Sequence, residues 1–112
     1  MENLKFKLIS NDKETINRSA NYVLQNNIIS FKIDNSLYKY NINENILIKT
    51  EDNNRITIDI NKEIILIELI KEKYMFDLII KDVELIKNDN IIEIKYKVDE
   101  EDKIINHIII EY

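Results

Sequence analysis

Neither glycine nor proline occurs anywhere in these 112 residues. A folded chain must reverse direction repeatedly, and the tightest reversals place residues at positive φ, where a Cβ atom crowds the backbone. Without glycine, those positions fall to Asn and Asp, whose short polar side chains tolerate the left-handed region better than others. Clusters of Asn and Asp are therefore expected to mark the turns. They stand at Asn11-Asp12, Asn26-Asn27, Asp34-Asn35, Asn43-Glu44-Asn45, Glu51-Asp52-Asn53-Asn54, Asn61-Lys62, Asn88-Asp89-Asn90 and Asp99-Glu100-Glu101-Asp102. Ile, Asn and Lys dominate while Ala and Arg are scarce, a bias expected of an AT-rich genome.

The pieces between these markers are short, rich in β-branched and aromatic residues, and many alternate. Leu4, Phe6 and Leu8 face away from Lys5 and Lys7; Ile56, Ile58 and Ile60 alternate with Thr57 and Asp59; Ile92, Ile94, Tyr96 and Val98 alternate with Glu93, Lys95 and Lys97. Period-two alternation between regular turn signals predicts antiparallel strands with one buried face. Residues 62–87 are ambiguous. Ile79, Val83 and Ile86 keep helical spacing, and Glu and Lys are good helix formers. The high Ile content and strand-rich surroundings favour strands there. No repeat or linker divides the chain, so residues 1–112 read as one domain.

Composition excludes several functions. Charged residues make up 33% and the apolar set 45%, the profile of a globular chain. Net charge is −5 with the signs interspersed, and Arg stands only at Arg18 and Arg55, so no basic patch favours nucleic acid. No apolar run reaches the roughly 20 residues of a helical membrane span. The start MENLKFKLIS lacks the apolar core of a secretory signal, and a cytoplasmic protein without a membrane partner is expected. The lack of cysteine excludes disulfides and thiolate metal sites.

Three features suggest chemistry and each has a simpler reading. His107, the one histidine, lies on the strand face opposite Ile108, Ile110 and Tyr112, without HxH or HExxH spacing, and reads as a strand residue facing solvent or a barrel rim. The acidic knot at residues 99–102 lacks calcium-loop spacing and reads as a solvated hairpin loop. Glu93, Lys95 and Lys97 form E-x-K-x-K on one strand face. The E-x-E-x-K of barrel phosphohydrolases would need a second Glu at Lys95, so an outward charged face is expected. None of Ser10, Ser19, Ser30 and Ser36 sits in a nucleophile elbow, and no glycine exists to cradle phosphate. No catalytic, cofactor-binding or metal residue is assigned, no cofactor is expected, and no enzyme is predicted.

Surplus Ile is more informative. The pieces Ile28-Ile29, residues 64–70, Ile79-Ile80 and residues 104–110 carry Ile on both strand faces. Outward Ile would suit a homodimer or another protein partner.

The order of the pieces LKFKLI, ANYVLQNNIISFKI, ILIKTEDNNRITIDI and FDLIIKDVELIKNDNIIEIKYKVDEEDKIINHIIIEY resembles the YwiB-like family, a bacterial domain of unknown function found in Firmicutes. The likeness spans almost the whole chain, and Tyr96 stands at a family tyrosine. Three departures stand out: Asp59-Ile60-Asn61-Lys62 replaces an R-x-G, Phe76 replaces a glycine, and Asn106-His107 stands near a family asparagine. The resemblance implies a calycin-like antiparallel barrel, makes residues 62–87 two strands and a connector, and brings no activity. Lipocalin-like ligand carriage would be analogy of fold alone.

The expectation is thus an all-β, small antiparallel calycin-like (lipocalin-like) β-barrel of roughly 8–10 strands. Its interior would hold Leu4, Phe6, Leu8, Phe31, Ile33, Ile56, Ile58, Leu78, Ile80, Ile92, Ile94, Tyr96, Ile108 and Ile110. The expected function is a non-enzymatic binding or interaction module. A carrier of a small apolar ligand in the barrel mouth is the alternative.

Overall fold

The computed structural model describes residues 2–112. Ten strands follow one another: β1 (Glu2–Ser10), β2 (Lys13–Gln25), β3 (Ile28–Ile33), β4 (Ser36–Asn41), β5 (Ile46–Thr50), β6 (Asn54–Asp59), β7 (Ile64–Leu69), β8 (Tyr74–Lys87), β9 (Ile91–Val98) and β10 (Glu101–Glu111). Each pairs antiparallel with its sequence neighbours, and β10 returns to β1, closing an up-and-down barrel. The described residues contain no helix long and apolar enough to cross a membrane. Residues 62–87 are strands β7 and β8, not a helix, because each strand finds a hydrogen-bonded partner on the growing sheet.

Asn and Asp do most of the work that glycine would otherwise do. Positive φ occurs at Asn11 and Asp12, and at Asn26 and Asn27, which form two-residue hairpin turns. Both central residues are left-handed in each, the pattern whose twist matches that of paired strands. Three four-residue loops share another design: 42–45, 60–63 and 70–73 each begin with Ile and end on a left-handed residue, namely Asn45, Glu63 and Lys73. The last two depart from the Asn/Asp expectation. In the first two loops, the residue before the Ile braces the backbone: Asn41 Oδ1 accepts from the Asn43 and Glu44 amides, and Asp59 Oδ1 from the Lys62 amide.

Inward residues fill the barrel. Phe6, Phe31 and Tyr38 stand with ring centroids 4.7–5.1 Å apart, Phe31 and Tyr38 nearly parallel. Ile29, Ile80, Ile92, Ile94 and Ile110 are essentially sealed around them. Ten of the fourteen expected interior residues are buried; Leu8, Ile56, Leu78 and Tyr96 are half-buried, packed against the core from one barrel end. Tyr38, Tyr40, Leu47, Ile60 and Ile65 complete the core. The Tyr40 phenol donates to Asn45 Oδ1 at 3.3 Å, and burial pushes its pKa up to about 12.

The wall is irregular around Tyr96. On β8, Asp82 and Val83 oppose the single residue Tyr96, a bulge whose first member, Asp82, is left-handed where glycine is usual. On β10, the register shifts between Glu101 and Asn106, and Asn106 pairs with Tyr96. Strand stagger also leaves two half-edges open. β2 pairs with β3 only over its last four residues, Tyr22 to Gln25. β8 meets β9 only from Ile80 onward, apart from the Asp99 amide on the Ile79 carbonyl.

Candidate interaction surface

Antiparallel pairing dictates which side chains share the outer wall. Leu47, Ile58, Ile65 and Ile80 point inward, so their immediate neighbours point out. Two cross-strand rows result: Ile46, Asp59, Ile64 and Ile79 in one, Ile48, Thr57, Leu66 and Asp77 in the next. Together with Met75, these rows form an apolar band across β5, β7 and β8, crossed at β6 by Thr57 and Asp59 and at β8 by Asp77. At its β8 end, Ile79 and Met75 are each 64% exposed. The surplus Ile of residues 64–70 and Ile79-Ile80 thus divides between faces: Ile65 and Ile80 fill the core, and Ile64 and Ile79 line the band. Tyr74 and Phe76 lie on the opposite face of β8, rings 5.8 Å apart, yet Tyr74 is 57% exposed because the hairpin projects past the core.

The barrel end bearing the β1–β2, β3–β4 and β5–β6 turns holds a polar cluster. Lys49 and Glu51 share the strand face of buried Leu47, and Lys49 stands opposite Tyr38. The Ser36 hydroxyl donates to Glu51 Oε1 at 2.6 Å, and Lys49 Nζ lies 3.1 Å from the same oxygen. The Ser36 hydrogen bond, then Lys49, hold the Glu51 carboxyl below the usual range. Burial raises the Tyr38 pKa, against the pull of Lys49. The cleft above this cluster has a volume of about 260 Å³ and includes Ile16, Ile33 and Asp34. Asp34 is turned aside to Arg18, with oxygen and nitrogen 3.4 Å apart.

The features that suggested chemistry lie on the outer wall. His107 does face away from Ile108, but it is not simply solvated: its Nε2 lies 3.0 Å from Glu93 Oε1, and the side chain is 19% exposed. Glu93, Lys95 and Lys97 share that outward face of β9. A groove of about 400 Å³ runs past His107, Lys95, Lys97, Asp82, Glu84 and the ring of Tyr96, where the β8 bulge opens the wall. Burial pushes Tyr96 up to about 12. The acidic knot is only partly a loop. Asp99 and Glu100 make the turn, while Glu101 and Asp102 begin β10. Asp99 and Asp102 hold Lys81 at 3.5 and 3.7 Å. Among the described residues no three His, Asp or Glu side chains gather as a metal site.

Comparison with protein-family models, curated proteins and solved structures finds no match to this chain. Sequence alternation placed His107 and the E-x-K-x-K face correctly. It missed the inward Lys49–Glu51 pair. The signal was present, since both share the parity of Leu47.

Proposed function

We propose that this chain is a cytoplasmic, non-enzymatic interaction module that binds a protein partner through the outer wall of β5, β7 and β8. One observation carries the reading: a filled barrel whose outer wall bears a band of half-buried Ile46, Ile48, Ile64 and Leu66 that runs out to the exposed Met75 and Ile79. Apolar side chains left on an outer wall in this way are costly in a free protein and are usual where a partner docks. The alternative, carriage of a small apolar ligand, calls for an open apolar cavity of roughly 300 Å³ or more. Phe6, Phe31 and Tyr38 occupy the interior, and the end cleft presents Lys49 and Glu51 instead. Membership of the calycin-like, YwiB-like family belongs to this proposal. It is supported by the meander of strands closing into a barrel.

Native mass spectrometry of the protein purified from its own cells tests the reading. A protein assembly without a small molecule is expected. A bare monomer, or a monomer carrying an apolar small molecule, would overturn it.

A further inference from the structure

Resting on the interaction reading, but placing the contact on the edge of β8 and not on the wall's outer face, we infer that the partner is a second copy of this chain, joined antiparallel along the open edge of β8 at residues 74–79. The Ile80 amide donates to the carbonyl of Glu63, just before β7, which fixes the ladder phase. Tyr74, Phe76, Leu78 and Ile80 therefore direct their backbone groups to β7, and Met75, Asp77 and Ile79 direct theirs away. The Ile79 carbonyl meets the Asp99 amide, consistent with this phase. For Met75 and Asp77 no strand stands on that side: among the described residues β8 pairs only with β7 and β9, and β9 ends opposite Ile80.

The two open half-edges are dressed differently. The free part of β2 carries Lys13, Glu14, Asn17, Arg18 and Ser19, the charged and polar guard expected of an edge kept apart from other chains. The free part of β8 carries Tyr74, Met75 and Phe76.

The edge is also self-complementary. Antiparallel pairing of identical strands closes about a two-fold axis. An axis through Met75 sets Lys73 opposite the copy's Asp77, and Tyr74 opposite its Phe76, both favourable cross-strand pairs. An axis through Asp77 would set like charges face to face. With the axis at Met75, the basic tip of the β7–β8 hairpin also comes beside the copy's acidic turn at residues 99–102. Glu72 is held back by the Asn53 amide at 3.0 and 3.1 Å, which leaves Lys71 and Lys73 forward. The acidic knot thus gains a role that its pairing with Lys81 does not exhaust.

Sedimentation velocity of the full chain over a concentration series, at low and high salt, tests the inference. A dimer is expected, weakened by salt. Met75→Pro removes the amide on the axis without touching the ladder to β7, and should abolish the dimer while circular dichroism stays unchanged. Asp77→Lys and Lys73→Asp should each weaken it about tenfold, and the double exchange should restore it. If Met75→Pro misfolds, the charge exchange decides alone. A wild-type chain that stays monomeric, or a dimer indifferent to the charge exchange, overturns self-pairing. A different protein found bound to a monomer in native mass spectrometry sinks self-pairing alone. A bare monomer there sinks the interaction reading with it.

Discussion

Replacing Glu63 by glycine should stabilise this protein, although it deletes a side chain and adds backbone freedom. Glu63 closes the loop between β6 and β7 with φ at 55°. Its side chain is exposed and makes no hydrogen bond or ion pair among the described residues. Its backbone is engaged: the amide donates to the Ile60 carbonyl, and its carbonyl accepts from Ile80. Glycine keeps both bonds and removes a left-handed penalty of roughly 1–2 kcal/mol. Against this, the unfolded chain gains freedom worth roughly 0.4–1 kcal/mol. The net gain is about 0.5–1 kcal/mol. With unfolding entropy of roughly 2.1 cal/mol/K per residue, 1 kcal/mol moves Tm by about 4 °C in a chain of this length, so calorimetry should show a rise of about 2–4 °C. Lys62→Gly, one residue earlier at ordinary φ, should lower Tm by a similar amount. Asn45→Gly should also lower it, although Asn45 is left-handed too, because Asn45 Oδ1 accepts from Tyr40 and from Lys87 Nζ at 3.3 and 2.8 Å. A Glu63→Gly protein no more stable than the wild type, or a Lys62→Gly protein equally raised, would refute the assignment of strain to φ.

Alkaline unfolding should begin near pH 10. Tyr40 and Tyr96 hold their protons in the folded barrel to about 12, so the unfolded state ionises first. Their contribution is complete below pH 10 and falls away by about 12, on the order of 2 kcal/mol for sealed Tyr40; a Tyr96→Phe barrel with the same alkaline limb in pH-dependent urea titrations would argue against it. Phe6→Ala should cost roughly 3–5 kcal/mol, a large share of a typical domain's stability, because Phe6 touches both other rings of the aromatic cluster; a urea midpoint that barely moves would mean the core is not packed as described. Ser36→Ala should raise the Glu51 pKa toward the ordinary carboxylate range, read from its side-chain carbonyl shift in an NMR titration, and an unmoved titration would assign the depression to Lys49 alone.

The barrel was legible wherever one strand face is apolar and the other is not. Leu4 and Phe6, Phe31 and Ile33, and Ile92 and Ile94 alternate with charge and lie where alternation puts them. β7 resisted because its outer face belongs to the apolar band, so Ile64 and Leu66 erase the period-two signal. Tyr38 and Tyr40 were overlooked as core because a tyrosine can face either way, although their alternation with Leu37, Lys39 and Asn41 was there to read. The bulge at Asp82 left no mark: a lone Asp within a strand does not announce positive φ, and its cause is the extra residue opposite Tyr96. The pairing of His107 with Glu93 was likewise hidden. It depends on a diagonal across β9 and β10, which appears only once Ile109 is known to sit opposite Glu93.

Closing a sheet is the surest way to remove its edges, yet stagger gives part of two edges back. A chain without proline has lost one common edge guard and must rely on charge, bulges or cover. β2 relies on charge. β8 uses a bulge at Asp82, but only after Ile80, where β9 already covers it. The exposed half, from Tyr74 to Ile79, is left with Asp77 as its single charge. An apolar edge of this kind recruits further strands unless the first addition also ends the series. Pairing about a two-fold axis does so, because each copy spends its one open apolar edge on the other and the polar edges of β2 add nothing more. Codon bias accounts for abundant Ile across the chain. It does not account for Tyr, Met and Phe standing in succession on the edge of β8 while Lys, Glu and Arg guard β2.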